Sequence, residues 1–328
     1  FAQMVEAGCE YAVMEVSSQG IKMHRTDGLY FNYAIFTNIS PDHIGPGEHA
    51  DFEEYLYYKT RLLNMCGIGL VNKDDKHAPQ IIKAANCELC TYSEESKEAD
   101  FVASDIRYVS QPDFVGTEFH ISGKYDMEVR LGIPGLFNVV NALAAVSVCS
   151  FLGLDQARIS HALENIRVNG RMEIVYTSER CTVLVDYAHN AVSMESLLST
   201  LRDYKPKRLV CVFGCGGNRS KDRRYSMGEI GGKMADLSII TADNSRYEKV
   251  EDIIADIRGS IEKTGGKFIE IPDRREAIRY SILHAQPGDM VAVIGKGHED
   301  YQEINGVRHH FLDREVIEET VKELGEKA

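Results

Sequence analysis

Four short stretches in the second half of the chain gather the side chains that do chemistry. They are DYAH (Asp186 to His189), GCGGNR (Gly214 to Arg219), ADNSR (Ala242 to Arg246) and GKGHE (Gly295 to Glu299). Each follows an apolar run and is built of glycine or short polar residues, the composition of a loop that leaves a strand. Among them they hold Asp186, His189, Arg219, Asp243, Asn244, Arg246, Lys296, His298 and Glu299. Two arginines with carboxylates at one place suit a zwitterion that bears an extra carboxylate, because a guanidinium fork takes a carboxylate bidentately. Any one of these loops alone is no better than a solvated turn. Glycines after a strand also let backbone N–H groups cradle phosphate, but GCGGNR lacks the Lys-Ser or Lys-Thr that ends a phosphate loop.

The first half has its own candidates, each with an ordinary alternative. In MEVSSQG, Glu15 ends an apolar run ahead of Ser17 and Ser18. The acid suits a metal and the serines a phosphate or sugar, or the serines simply cap a helix. TNISPDHIG carries Asn38, Asp42 and His43, and a lone loop histidine is usually just solvated. Lys59 sits in YLYYKTRLL among bulky neighbours. Most such lysines reach water, whereas a partly buried one has a depressed pKa and can react with CO₂. Asn138 and Asn141 lie three apart on one helical face. Their amides can read an adenine edge, or Asn138 caps the helix. Arg171 in NGRME can clamp a phosphate or form a plain salt bridge.

The elements that must position these residues are clearest in the second half. Strand-like runs recur at Thr182–Val185, Arg208–Phe213, Leu237–Thr241, Lys267–Ile271 and Met290–Ile294, separated by amphipathic stretches such as SMESLLSTLRDY, VEDIIADIRGSIEK and REAIRYSILHA. That alternation predicts a doubly wound parallel sheet covered by helices on both faces. Ligands bind such a sheet at the carboxyl ends of its strands, where all four loops fall. The first half reads as mixed α/β. YAVMEV and YAIFTNI read as buried strands, EEYLYYKTRLL as a helix, Phe101 to Leu131 as antiparallel hairpins of period two, and NVVNALAAVSVCSFLGL and QARISHALENI as two helices. The boundary is expected near Gly170, giving domains 1–170 and 171–328.

With 328 residues, 44% hydrophobic and 27% charged, the chain has core enough for two domains. A net charge of −13 argues against general affinity for nucleic acid or an anionic membrane. No apolar stretch approaches a membrane span, and no signal-peptide pattern is present. Eight scattered cysteines form no paired framework, and Cys211 with Cys215 lacks the second pair of a zinc site. Reduced thiols in the cytosol are expected. No G-x-G-x-x-G follows the first strand of either half, against a nicotinamide dehydrogenase. The chain opens on Phe1 within a helix-like stretch, FAQMVEAG, so a fragment is expected.

MEVSSQG, TNISPDH, a helical lysine soon after, FN-x-x-N-x-LAA, NGRME, DYAH, FGCGGNR, DNSR and GKGHEDYQ occur in the order seen in the Mur ligases. From about Tyr11 to its end the chain resembles the branch of that family that adds the third residue of the peptidoglycan stem peptide. The resemblance implies the later part of the family's central, ATPase-type domain followed by its Rossmann-like C-terminal domain, with the phosphate loop upstream of Phe1. It implies ATP and Mg²⁺, UDP-N-acetylmuramoyl-L-alanyl-D-glutamate and meso-2,6-diaminopimelate, and a monomeric cytoplasmic ligase. Carried over by position, Glu15, His43 and Lys59 as its carbamate fall at the metal, and Lys59, His43 and Arg171 at the catalytic centre. Ser17 and Arg25 fall at the UDP-muramoyl peptide, and Asn138, Asn141, Arg171 and Asp186 at the nucleotide. Arg219, Asp243, Asn244, Arg246, Gly295 and Glu299 fall at the incoming amino acid.

Two positions depart from the family pattern: Ser245 stands where the acceptor motif usually has proline, and Gln19 where relatives often have histidine. The alternatives are the same ligase taking L-lysine, a ligase like folylpolyglutamate synthetase, and a binding module that lacks the phosphate loop. Without that loop, the 328 residues alone are expected to have almost no ligase activity.

Overall fold

The structure is a computed structural model that describes residues 1–41, 43–45 and 47–325; Asp42, a sequence candidate, lies outside the described residues. It divides into two compact units, one of Phe1–Ser104, Ile121–Met127 and Val140–Gln156, the other of Asp105–His120, Glu128–Val139 and Ala157–Ala328.

Two short helices, α1 (Ala2–Glu6) and α2 (Ser18–Lys22), precede strand β1 (Phe31–Phe36). Then come α3 (Phe52–Arg61), β2 (Cys66–Asn72), α4 (Ala78–Ala84) and β3 (Glu88–Ser93), followed by β4 (Phe101–Gln111), β5 (Phe114–Gly123) and β6 (Met127–Leu131). The sheet order is β1-β2-β3-β4-β5-β6. β1 to β4 run parallel, from Phe31 opposite Cys66 through to Tyr92 opposite Phe101. The two- and three-residue connections after β4 and β5 are too short for parallel crossovers, so those strands turn back as hairpins. Helices α5 (Leu136–Phe151) and α6 (Gln156–Asn165) follow. Side chains of β1, β2, α3 and α4 close a core around Phe36, Leu56, Leu63, Val71 and Ile81.

One expectation fails here. Tyr11 to Val16 form no strand, and Val13 is wholly exposed. A strand exists only through its ladder; β1 is the end strand of its sheet, and among the described residues nothing pairs with YAVMEV.

The second sheet comprises β7 (Glu173–Thr177), β8 (Cys181–Asp186), β9 (Arg208–Phe213), β10 (Leu237–Ile240), β11 (Phe268–Glu270) and β12 (Asp289–Ile294). Its order is β11-β10-β9-β12-β8-β7, parallel except for the antiparallel β7. The connecting helices are α7 (Ala191–Asp203), α8 (Asp222–Met234), α9 (Val250–Thr264) and α10 (Arg274–Leu283); a hairpin, β13 (Tyr301–Ile304) with β14 (Val307–His310), leads to α11 (Asp313–Glu323). Helix α7 begins at a capping box, with Asn190 Oδ1 accepting from Ser193 N at 2.9 Å and Asn190 N donating to Ser193 Oγ at 3.3 Å. Val183, Val210, Ile239 and Val291 pack on one face against α10 and α11, while Leu184, Leu209, Ile240 and Met290 pack on the other against α7, α8 and α9.

A buried ion pair ties this sheet to its loops. Arg274, the first residue of α10, donates from Nε and Nη2 to the carboxylate of Asp313 at 2.7 Å each, and both side chains are 0% exposed. Its guanidinium also donates to Ile294 O at 3.0 Å and Ala242 O at 3.3 Å, the roots of the loops after β12 and β10. Breaking a buried pair strands a desolvated charge, which typically costs about 3–5 kcal/mol, whereas an apolar pair of like volume often costs little. Asp313→Ala should therefore lose about that much stability in urea denaturation, and Arg274→Met with Asp313→Leu should lose less. A loss in Asp313→Ala below about 1 kcal/mol would contradict this role.

Candidate active site

The loops that follow β8, β9, β10 and β12 leave four adjacent strands of one sheet at its carboxyl edge. That placement brings Asp186, Asp243, Asn244, Arg246, Gly295, Lys296 and Glu299 to one edge of the sheet, with Asn244, Lys296 and Glu299 hydrogen-bonded together. Asn244 Nδ2 donates to Glu299 Oε2 at 3.1 Å, and Lys296 Nζ donates to Asn244 Oδ1 at 3.2 Å and Glu299 Oε2 at 3.3 Å. Tyr187 OH donates to Glu299 Oε1 at 3.3 Å. Gly295 N donates to Asp186 O at 3.1 Å. Gly295 has φ 109°, a conformation that L side chains rarely adopt, so the turn favours glycine.

Arg246 is held firmly. Its backbone N donates to Glu303 O at 3.0 Å, its O accepts from Asn305 N at 2.6 Å, and φ is 51°, in the left-handed region. Its Nη1 donates to Gly217 O at 2.7 Å, and Nε lies 3.7 Å from Glu303 Oε2. Proline at position 245 would stiffen this loop. With Ser245 buried in its place, the β13–β14 hairpin supplies the restraint through Glu303 and Asn305. GCGGNR is fixed to the same loop: Gly217 N donates to Asn244 O at 2.9 Å, and Glu248 accepts from Asn218 N. Glu248 is paired in turn with buried Arg224 at 2.8 Å, as Asp256 is at 2.9 Å. Arg219 and His298 are exposed on their loops, and His189 is half-buried with Nδ1 2.9 Å from Tyr187 O.

Asp186 accepts from Met172 N at 2.8 Å and Ala188 N at 2.7 Å, which fix NGRME beside DYAH. Burial pushes its carboxyl above the usual range, against the opposing pull of those N–H groups and of Arg171. Arg171 is exposed, with Cζ 4.9 Å from the centre of the Tyr187 ring.

In the other unit Ser17 is the N-cap of α2, accepting from Gly20 N at 3.0 Å. Ser18 is buried, with Oγ 2.8 Å from His49 Nε2. Gln19 donates to Gly47 O at 3.2 Å, tying α2 to the segment ahead of α3. Arg25 and Glu15 are exposed. Lys59 lies half-buried on α3 with Nζ 5.5 Å from the Tyr55 ring centre, and the His43 ring packs edge-on at 5.8 Å from the same ring. Burial lowers the Lys59 pKa, opposed by the charges of Asp75 and Glu15, so more free amine is present than on an exposed lysine. Among the described residues no three His, Cys, Asp or Glu side chains form a ready metal cluster. An ammonium at Lys59 repels a cation, whereas its carbamate together with Glu15 would offer the oxygen donors that Mg²⁺ favours. The donor set fits the metal only in that form. On α5, Asn138 Nδ2 donates to Pro134 O at 2.7 Å, and Asn141 is exposed.

Arg274, Asp313, Arg224, Glu248, Tyr187, Asp75 and the β13–β14 hairpin carry much of this architecture and are silent in the sequence. Buried arginines in amphipathic helices look like solvated ones until their partners, 24 to 39 positions away, are placed.

The chain belongs to the Mur ligase family: the Mur ligase middle domain matches residues 1–149, and the Mur ligase, glutamate ligase domain matches residues 170–297. It is 38% identical over 329 residues to the UDP-N-acetylmuramoyl-L-alanyl-D-glutamate--2,6-diaminopimelate ligase of Caldanaerobacter subterraneus subsp. tengcongensis, covering 98% of this chain and 66% of that protein. Ligase 2 of the same name from Clostridium acetobutylicum is 40% identical over 316 residues, covering 96% and 64%. A solved structure bearing that ligase name superposes with a TM-score of 0.75 at 34% identity, over 98% of this chain and 66% of the other. The folylpolyglutamate synthase of Thermotoga maritima, at 19% identity and TM-score 0.56 over 75% and 56% of the two chains, shares the fold alone. The chain thus spans about two thirds of the length of the curated relatives it matches.

The close approach of Gly217 to Ser245 is a test of how these loops are packed. A Cβ at Gly217 would lie 2.0 Å from Ser245 O, a backbone atom that cannot rotate away. Gly217→Ala should destabilise by about 1–3 kcal/mol in urea denaturation, as overpacking does. Gly259→Ala, in open space on α9, should be neutral or stabilising by about 0.5–1 kcal/mol. Equal effects of the two would contradict the described packing.

Proposed function

We propose that the native protein carrying this chain is an ATP-dependent ligase that joins meso-2,6-diaminopimelate to UDP-N-acetylmuramoyl-L-alanyl-D-glutamate. The observation that carries the reading is Arg246, pinned on both backbone sides, within the same loop set as the Glu299 carboxylate. An acceptor with an ammonium and a carboxylate at its far end meets a complementary pair there, and L-lysine lacks that carboxylate. The names of the curated relatives support the same substrates. Arg219 and Asp243, with Asn244 and Gly295, complete the acceptor loops in this reading.

In the reaction, the γ-phosphoryl of ATP moves to the substrate carboxylate, giving an acyl phosphate and ADP. The acceptor amine attacks its carbonyl carbon, loses a proton to solvent, and inorganic phosphate leaves from the tetrahedral intermediate. Magnesium supplies charge neutralisation at the phosphoryl oxygens. Glu15, His43 and the Lys59 carbamate are proposed to hold it, with Asn138, Asn141, Arg171 and Asp186 toward the nucleotide and Ser17 and Arg25 toward the UDP-linked peptide. Positioning by these groups does most of the work. Domains at 1–170 and 171–328, a monomeric state and a cytoplasmic location belong to the same proposal, and no helix of the described residues is long and apolar enough to cross a membrane.

Two experiments on the native full-length chain test it. Lys59→Ala should abolish turnover and be partly rescued by small carboxylic acids that replace the lost anion; full activity in the variant removes Lys59 from the mechanism. Wild type should prefer meso-diaminopimelate to L-lysine in kcat/KM, by up to roughly 10⁴-fold for a site built around a polar partner, and Arg246→Ala should erase the preference. Preference for lysine in wild type, or a preference retained in Arg246→Ala, sinks the acceptor assignment.

A further inference from the structure

We propose that Lys296 is a positioning residue for the acceptor site, setting the direction of the Glu299 carboxylate and the Asn244 amide from beneath. The inference rests on the acceptor reading above. Lysine is rarely fully buried, yet Lys296 is 0% exposed and ends between two side chains of that site. Its Nζ donates to Asn244 Oδ1 at 3.2 Å and Glu299 Oε2 at 3.3 Å, and lies 5.3 Å from the centre of the Tyr301 ring. These contacts leave it no path to bulk solvent or to a ligand phosphate.

The consequences are geometric. An amide can flip, exchanging its oxygen and its NH₂. Here Oδ1 accepts from Lys296 and from Glu303 N at 2.9 Å, so the amide can face only one way, with Nδ2 on Glu299 at 3.1 Å. Glu299 Oε2 is then filled from Lys296 and Asn244, and among the described residues Oε1 accepts from Tyr187 OH at 3.3 Å. Oε1 is thereby the carboxylate oxygen turned to meet an ammonium. One buried cation thus joins the loop after β10, the loop after β12 and strand β13.

The test is a double-mutant cycle in the native full-length chain, with Lys296→Met, Glu299→Gln and both, and melting followed by circular dichroism. Lys296→Met should raise KM for diaminopimelate about tenfold or more, the scale of a lost buried charge contact, while kcat and the KM values for ATP and the UDP-linked substrate change less than about threefold. In the Glu299→Gln background the same replacement should add little, because contacting residues are not additive. Lys296→Gln, which keeps a donor, should fall between, and it carries the test should the Met variant melt below assay temperature. An acceptor KM unchanged in Lys296→Met and Lys296→Gln, full additivity with Glu299→Gln, or an equal rise in the ATP KM would overturn the proposal. An acceptor KM unchanged in Glu299→Gln would instead overturn the acceptor reading beneath it.

Discussion

A guanidinium and a carboxylate, both sealed from water, underlie the functional edge of the C-terminal sheet. Arg274 and Asp313 belong to helices α10 and α11, and the charge of each is tolerable inside the core only because the other is there. The Arg274 guanidinium also donates to Ile294 O and Ala242 O, carbonyls at the roots of the loops after β12 and β10. Loops that leave parallel strands are otherwise free to splay, since their ladders end there. Anchoring two of them at the base lets Asn244, Lys296 and Glu299 form one connected set above.

The net charge of −13 does not set the charge of each local site. The negative total is spread over the surface, where water and salt screen it within about 10 Å. At the sheet edge, cations and carboxylates alternate at short range: Arg246 beside Glu303, Lys296 beside Glu299, Arg224 beside Glu248. Each cation is held by partners before any ligand arrives, which reduces the ordering cost of binding. The N-terminal unit works differently. Burial lowers the Lys59 pKa against the charges of Asp75 and Glu15, so more of it is free amine than on an exposed lysine.

Much of the fold was legible because local pattern and tertiary outcome agree. The runs Leu209–Phe213 and Met290–Ile294 are apolar throughout because both faces of that sheet are covered, and they fold as strands almost residue for residue. YAVMEV has the same apolar character and forms no strand, since a strand depends on a neighbour that sequence pattern does not reveal. Among site residues, those in glycine-bounded loops stood out. Their supports did not: Arg274 meets Asp313 across 39 positions, and Arg246 is clamped by a hairpin whose strand β14 is exposed and polar. Ser17 shows the opposite lesson, for its capping bond to Gly20 is the ordinary role foreseen beside the functional one.

The central claim is that the carboxyl edge of the second sheet receives an amino acid bearing a distal ammonium and carboxylate. A crystal structure of the native full-length chain soaked with meso-diaminopimelate tests it most directly. The account predicts the distal carboxylate on the Arg246 guanidinium and the neighbouring ammonium on Glu299. Diaminopimelate seated with neither group on those residues would contradict it.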